Sequence, residues 1–220
     1  MISRSTIALL AVLLPAGSLS AQTLADYDYE HLSFNGVRLD YGYIWPNKVE
    51  PTSRYGLQVD LGFLGPGVRI TPSITYWGSQ MSRKELGRLA DRLNRLPALR
   101  DNLVRIEAKG LGEIRWSDLA VNLEGQFAWE TNVGIMTYLG AGVGIHKLNG
   151  SGASIDGTFV EELLDAVTAG FSGLAGVEYE PVRRLRVYAE ASYTIMSYLR
   201  YPALKVGAAV MLPTKGESGR

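Results

Sequence analysis

From about residue 30 onward, apolar and polar residues alternate with a period of two, the pattern of a pleated sheet with two unlike faces. Val37, Leu39, Tyr41, Tyr43 and Trp45 alternate with Gly36, Arg38, Asp40, Gly42 and Ile44. Leu57, Val59, Leu61 and Phe63 alternate with Gln58, Asp60 and Gly62, and Val68, Ile70, Ile74 and Tyr76 with Arg69, Thr71, Ser73 and Thr75. The same rhythm runs from Asp118 to Trp129, from Asn132 to His146, more weakly over 170–180, from Leu185 to Ile195, and from Leu204 to Leu212. The pattern predicts eight strands.

The joins sort into two kinds. Gly65-Pro66-Gly67, Trp129-Glu130-Thr131 and Pro181-Val182-Arg183 read as tight turns, whereas 46–53, 79–112, 147–169 and 197–200 fall at the other strand ends. Two of these, 79–112 and 147–169, are long. Short turns at one end and long loops at the other are the habit of an outer-membrane barrel, whose short turns face the periplasm. Two loops carry helical spacing. Ser82 to Leu96 opens with Ser82 and Glu85 spaced as a capping box, continues with Leu86, Leu89, Leu93 and Leu96, and stops at Pro97. Thr158 to Ala169 places Phe159, Leu163, Leu164 and Val167 at similar steps. A basic amphipathic helix can lie on a membrane surface. The narrow apolar stripe favours a helix packed over the mouth of its own sheet.

The first 21 residues fit a secretory signal peptide: Arg4, an apolar run from Ile7 to Leu14, Pro15 and Gly17, then small residues leading to a cut near Ala21. The run is too short for a bilayer core that needs about 20 residues. The division expected is a signal peptide over 1–21, an N-terminal segment over 22–30, a β-barrel domain over 31–213 and a C-terminal tail over 214–220. Export makes the chain's lack of cysteine informative, because packing and hydrogen bonds must then hold the fold without disulfides. Lys+Arg and Asp+Glu both total 22. No basic excess points to nucleic acid.

Alternation alone does not say which face is inside. A soluble barrel turns its apolar face inward, and a small membrane barrel turns it to lipid. Three features favour the membrane arrangement. The polar face is mixed in sign, glycine recurs on it, and aromatics (Tyr43, Trp45, Tyr55, Phe63, Tyr76, Phe127, Trp129) gather near strand ends on the apolar face, as interfacial girdles require. An eight-stranded barrel is just wide enough for side chains to fill. Arg38, Asp40, Asp60, Arg69, Asp118, Glu124, Glu178, Arg186, Glu190 and Lys205 are therefore expected to pair across a plugged lumen, since buried charges are costly alone.

Thr137-Tyr138-Leu139-Gly140-Ala141-Gly142-Val143-Gly144 resembles the Y-x-G-x-G-x-G strand of the outer-membrane β-barrel domain family. Gly56 to Gly62 and Val187 to Tyr193 resemble its other strands, and the resemblance covers about 30–213. It implies an all-β fold: an eight-stranded antiparallel up-and-down transmembrane β-barrel in the bacterial outer membrane, usually of undefined activity. Such proteins usually end on an aromatic residue read by the assembly machinery, whereas this chain ends MLPTKGESGR.

Chemistry-bearing motifs are few. The imidazoles are His31 and His146. Ser151 and Ser154 follow His146 near the expected outer rim, but His146 shares the lumen face with Gly142 and Gly144, away from a lipid substrate. Glu161-Glu162 and Asp26/Asp28 lack metal-ligand spacing, and Gly150-Ser151-Gly152 lacks a phosphate-loop lysine. No catalytic, cofactor or metal residue is expected. The expected role is structural or interactive, with outer-membrane lipid, the barrel assembly machinery and an extracellular or periplasmic ligand as partners. The alternatives are a porin-like transporter of small apolar solutes, a lipid-modifying barrel enzyme, and a soluble periplasmic β-barrel binding protein.

Overall fold

A computed structural model describes residues 32–95 and 107–213. The expected signal peptide and 22–30 segment, with Asp26 and Asp28, as well as His31, Leu96, Pro97 and the expected tail over 214–220, lie outside the described residues. The strands are β1 (Gly36–Ile44), β2 (Thr52–Asp60), β3 (Phe63–Gly65), β4 (Val68–Gln80), β5 (Arg115–Glu130), β6 (Met136–Ser151), β7 (Ala166–Val182), β8 (Leu185–Met196) and β9 (Arg200–Met211). Helix α1 (Arg83–Asn94) follows β4, and helix α2 (Phe159–Leu164) follows β6.

Every ladder is antiparallel, and the sheet closes because β1 pairs with both β2 and β9 while β4 pairs with β2, β3 and β5. β2 and β3 share β4 as neighbour, so together they form one stave and the barrel has eight. The sequence pattern runs straight through this stave from Leu57 to Phe63, but the chain breaks at Leu61-Gly62. Gly62 has φ +77°, and its N–H donates to Asp60 Oδ1 at 2.8 Å. Leu61 N–H donates to Ile70 O, and Ile70 N–H to Gly62 O, both at 3.1 Å, so the ladder survives the bend.

Three other expectations are corrected. Val133 and Ile135 belong to a turn, where Thr131 N–H donates to Ile135 O and Gly134 takes φ +75°, so the strand starts at Met136. The turn after β7 is Arg183-Arg184, with Arg184 at φ +70° and its N–H on Glu180 Oε1. The second loop helix ends at Leu164, and Val167 is an exposed strand residue. Its i, i+4 spacing from Leu163 mimicked a helix that the β6–β7 ladder overrides, pairing Lys147 with Val167.

The large outward side chains of every stave are apolar and exposed, among them Leu39, Leu57, Ile74, Val121, Val143, Phe171, Val187 and Val206. The alternate residues along the same strands, such as Arg38, Gln58, Arg69 and Gln126, point to the opposite face and are buried. An apolar surface continuous around the molecule is far beyond the patches that soluble monomers expose. Aromatics mark both rims of it. Tyr43, Trp45, Tyr55, Tyr76 and Tyr193 lie toward the long-loop end, and Phe63, Phe127, Trp129 and Tyr179 toward the short-turn end. Leu119, opposite Tyr76, and Phe127 are eight residues apart on β5, a rise of roughly 26 Å along the strand.

The long-loop mouth holds a conventional apolar core. Trp77, Trp116, Leu148 and Met196, from the inward positions at the strand tops, pack with Leu89, Ala90 and Leu93 of α1 and Val160 and Leu164 of α2. Helix α1 thus covers the mouth. Ser82 Oγ accepts from Glu85 N–H at 3.4 Å, whereas the return arm of the expected capping box is absent, because Ser82 N–H donates to Lys48 O at 3.0 Å.

Two variants separate these two environments. Val121→Arg, in the middle of the outward face of β5, is expected to lower stability by about 2–4 kcal/mol in bilayers, measured by urea titration of the refolded protein; a neutral result counts against a lipid-facing wall. Trp77→Ala, which empties a fully buried site in the mouth core, is expected to cost about 3–5 kcal/mol in the same titration.

Candidate functional site: the barrel lumen

All ten charged residues singled out from the alternation point inward; nine are buried, and Arg186 keeps a side-chain exposure of 23%. They form three tiers along the axis. Direct ion pairs do not run through all ten, although Gln126, which accepts from Arg69 and donates to Glu124, bridges the first two tiers.

At the short-turn end, Glu178 of β7 gathers three arginines from three other strands. Arg69 Nη1 lies 3.0 Å from Glu178 Oε2, Arg38 Nη1 3.3 Å from the same oxygen, and Arg186 Nη1 3.2 Å from Oε1. Arg69 also reaches Asp60 at 3.6 Å and donates from Nε and Nη2 to Gln126 Oε1 at 3.0 and 2.7 Å. Arg186 Nε holds Glu180 at 3.0 Å. The two deepest guanidiniums also lie over aromatic rings, Arg38 over Tyr188 at 4.2 Å and Arg69 over Tyr138 at 5.2 Å, which stabilises a desolvated cation.

In the middle tier, Lys205 Nζ pairs with Glu190 Oε1 at 2.8 Å, and Tyr138 OH donates to Glu190 Oε2 at 3.0 Å. Asp40 accepts from Gln58 Nε2 at 3.1 Å and from Tyr188 OH at 3.4 Å, with Arg54 Nη1 3.7 Å away. Glu124 accepts from Gln126 Nε2 at 3.3 Å. Above these, just under the apolar cap, Asp118 Oδ2 contacts His146 Nδ1 at 2.8 Å and accepts from Trp77 Nε1 at 3.1 Å.

Sequence reasoning missed Arg54, Tyr138, Tyr188 and Trp77 as lumen residues. Arg54 was within reach, since extending the alternation two steps back from Gln58 places it inward. Parity reaches the tyrosines too, since Tyr188 falls between Arg186 and Glu190 and Tyr138 two before Gly140, but a rule that scores Tyr and Trp as apolar overrides it and sends them to the lipid side. Ser151 ends β6, paired with Arg115, and Ser154 stands exposed in the β6–α2 loop beside Ile155, which is buried in the cap. Glu161 and Glu162 lie in the first turn of α2, and Glu161 Oε2 accepts from Gly157 N–H. Among the described residues, no cluster of three or more His, Asp or Glu side chains has metal-binding geometry.

A shallow apolar hollow of about 680 Å³ lies on the outer wall, floored by Ala175, Ala189 and Ala191 between Tyr41 and Tyr43 on one side and Trp129 on the other. It faces outward, on the side of the wall opposite the ion pairs.

No protein-family model matches the chain, and no curated protein matches it by sequence. Solved structures do. Neisserial surface protein A is 12% identical with a TM-score of 0.55, over 82% of this chain and 98% of that one. Ail, the attachment invasion locus protein of Yersinia pestis, crystallised with the heparin analogue sucrose octasulfate, is 13% identical with a TM-score of 0.45, over 81% and 97%. The N-terminal β-barrel domain of Pseudomonas aeruginosa OprF is 12% identical with a TM-score of 0.44, over 80% and 98%. The fold rests on the first of these and on the closed topology: the chain has the fold of the small eight-stranded β-barrels of bacterial outer membranes.

Proposed function

We propose that this chain is a structural or interaction barrel of the bacterial outer membrane, exported with cleavage near Ala21, with a lumen plugged by its own side chains and helix-bearing loops presented outside. The observation that carries the reading is the cross-lumen cluster of Arg38, Arg69 and Arg186 on Glu178, stacked beneath an apolar cap. Neither layer resembles a pore. A water-filled channel keeps its charges solvated on the wall, whereas these span the interior and bury one another. Lipid and the barrel assembly machinery are its expected partners, and the loop surface is where an extracellular ligand would meet it. Catalysis is no part of the reading. His146 is 2% exposed and engaged with Asp118, so a lipid arriving from outside would not reach it.

Membrane fractionation, followed by gels of boiled and unboiled samples, tests the placement. The mature chain is expected in the outer-membrane fraction with a mobility that changes on heating; a soluble chain whose mobility ignores heat reverses the reading in favour of a periplasmic sheet protein.

Planar-bilayer recording tests the plug. The wild-type barrel is expected to show no unitary conductance steps. Glu178→Gln leaves three arginines without their shared carboxylate, so it is expected to lose about 3–5 kcal/mol of stability and to admit a small anion-preferring leak. Steady conductance through the wild-type protein would sink the plug.

A further inference from the structure

Helix α1 leaves two adjoining hollows at the outer mouth. The first, about 300 Å³, has apolar walls from Leu89 and Leu93 of α1, Trp116 of β5 and Leu163 of α2, with Tyr198 of the β8–β9 loop also lining it. That volume is at the small end of ligand pockets. The second, about 320 Å³, is lined by Lys48, Glu85, Arg88, Asp91, Arg92 and Arg95, four cations against two carboxylates. Lys48, Glu85 and Arg92 line both, so the apolar hollow opens directly onto the cationic one.

The cations are gathered closely for a surface. Buried Glu85 lies 3.0 Å from Arg92, 3.3 Å from Arg88 and 3.9 Å from Lys48, so one carboxylate holds three positive groups together. Lys48 Nζ also stands 5.9 Å from the Trp116 ring centroid. Partial burial lowers the Lys48 pKa; the attraction of Glu85 opposes this, and repulsion from Arg92 and Arg88 adds to it. A further anion beside these groups would relieve that repulsion. The side chains of Arg88 and Arg92 are more than half exposed, so their unused donors are accessible.

We propose that this composite cleft seats a phosphorylated lipid of net negative charge from the surrounding leaflet, its phosphate against Arg88, Arg92 and Lys48 and one acyl chain against Leu89, Trp116 and Leu163. The proposal rests on the membrane placement argued above. Position supports it: half-exposed Tyr198 lines the apolar hollow and follows β8 just beyond Tyr193, on the rim where aromatics mark the headgroup level. Arginine forks match phosphate oxygens in pairs. A free anion would use only the cationic half and a neutral lipid only the apolar half, so a ligand needing both identifies itself.

The test is native mass spectrometry of the full mature chain released from neutral-detergent micelles. The probes are didecanoyl phosphatidic acid, didecanoyl phosphatidylcholine and inorganic phosphate. A single-lipid adduct is expected with the phosphatidic acid, at least tenfold weaker with the phosphatidylcholine, and not displaced by inorganic phosphate. The double variant Arg88→Gln/Arg92→Gln and, separately, Leu163→Gln are each expected to weaken the adduct at least tenfold. Leu163 is 60% exposed, so its substitution spares the core, and unchanged heat-dependent mobility checks that both variants fold. Equal adducts with both lipids, undiminished adducts in either variant, or displacement by inorganic phosphate each overturn the proposal. A heat-modifiable wild-type chain with no adduct overturns the lipid seat alone, and a chain that is not heat-modifiable takes the seat down with the membrane reading.

Discussion

Hydrocarbon offers no partner to a peptide N–H or C=O, so a sheet in lipid must pair every edge with itself. The β1–β9 and β2–β4 ladders do this here, and the rest of the design follows from it. Once the sheet is a tube, its two faces are no longer equivalent surfaces: one meets lipid along its whole circumference, the other meets only itself. The outward face carries Leu39, Val121, Phe171 and Val206. Polar side chains are left with a bore that eight strands make barely wide enough to fill.

Filling such a bore with charge is unfavourable unless each ion finds partners. The lumen meets that condition by tiers. Glu178 answers three arginines at one end, Glu190 and Asp40 accept from a lysine, a glutamine and two tyrosines in the middle, and Asp118 engages His146 and Trp77 beneath the cap. The mouth has no such demand. There the strand tops, beyond the aromatic rim, enclose ordinary apolar packing with Trp116 Nε1 donating to Leu164 O at 3.0 Å, which ties α2 to the barrel. The molecule therefore joins an inside-out membrane barrel to a small soluble-type core at its long-loop end.

The barrel's architecture was legible because its signal is periodic and redundant. Arg38 and Asp40, or Asp118 and Glu124, are separated by even numbers of residues, and a strand without a bulge keeps such positions on one face. What misled was residue type rather than period. Trp77, Trp116 and Met196 occupy inward positions near strand ends, where the environment changes from charged lumen to apolar cap without a change in the alternation. Thr158 to Ala169 looked helical throughout because Leu163 and Val167 satisfy both periods over so short a span. The Leu61-Gly62 bend left no trace, since one glycine on a glycine-rich face is unremarkable until its φ is known. The partners within the lumen were out of reach for another reason: that Glu178 meets Arg38 and Arg69, more than a hundred residues away, depends on barrel stagger, which one sequence does not encode legibly.

The inward tyrosines show how the narrow bore is shared between bulk and charge. Tyr138 stands across the ladder from Gly176, and Tyr188 across from Gly207. A Cβ at Gly176 would strike the Tyr138 ring, and one at Gly207 the Tyr188 ring. Each glycine is therefore the space into which its neighbour's ring folds flat against the wall. That posture matters to the charges. A ring lying along the wall offers its face to the bore, where Arg38 and Arg69 stack, while its hydroxyl reaches Asp40 or Glu190. One side chain thus serves a cation by its face and an anion by its tip. The recurring glycines of the polar face are part of the electrostatics, because without them these rings would stand across the lumen and the arginines would lose the surfaces on which their desolvated charge is tolerated.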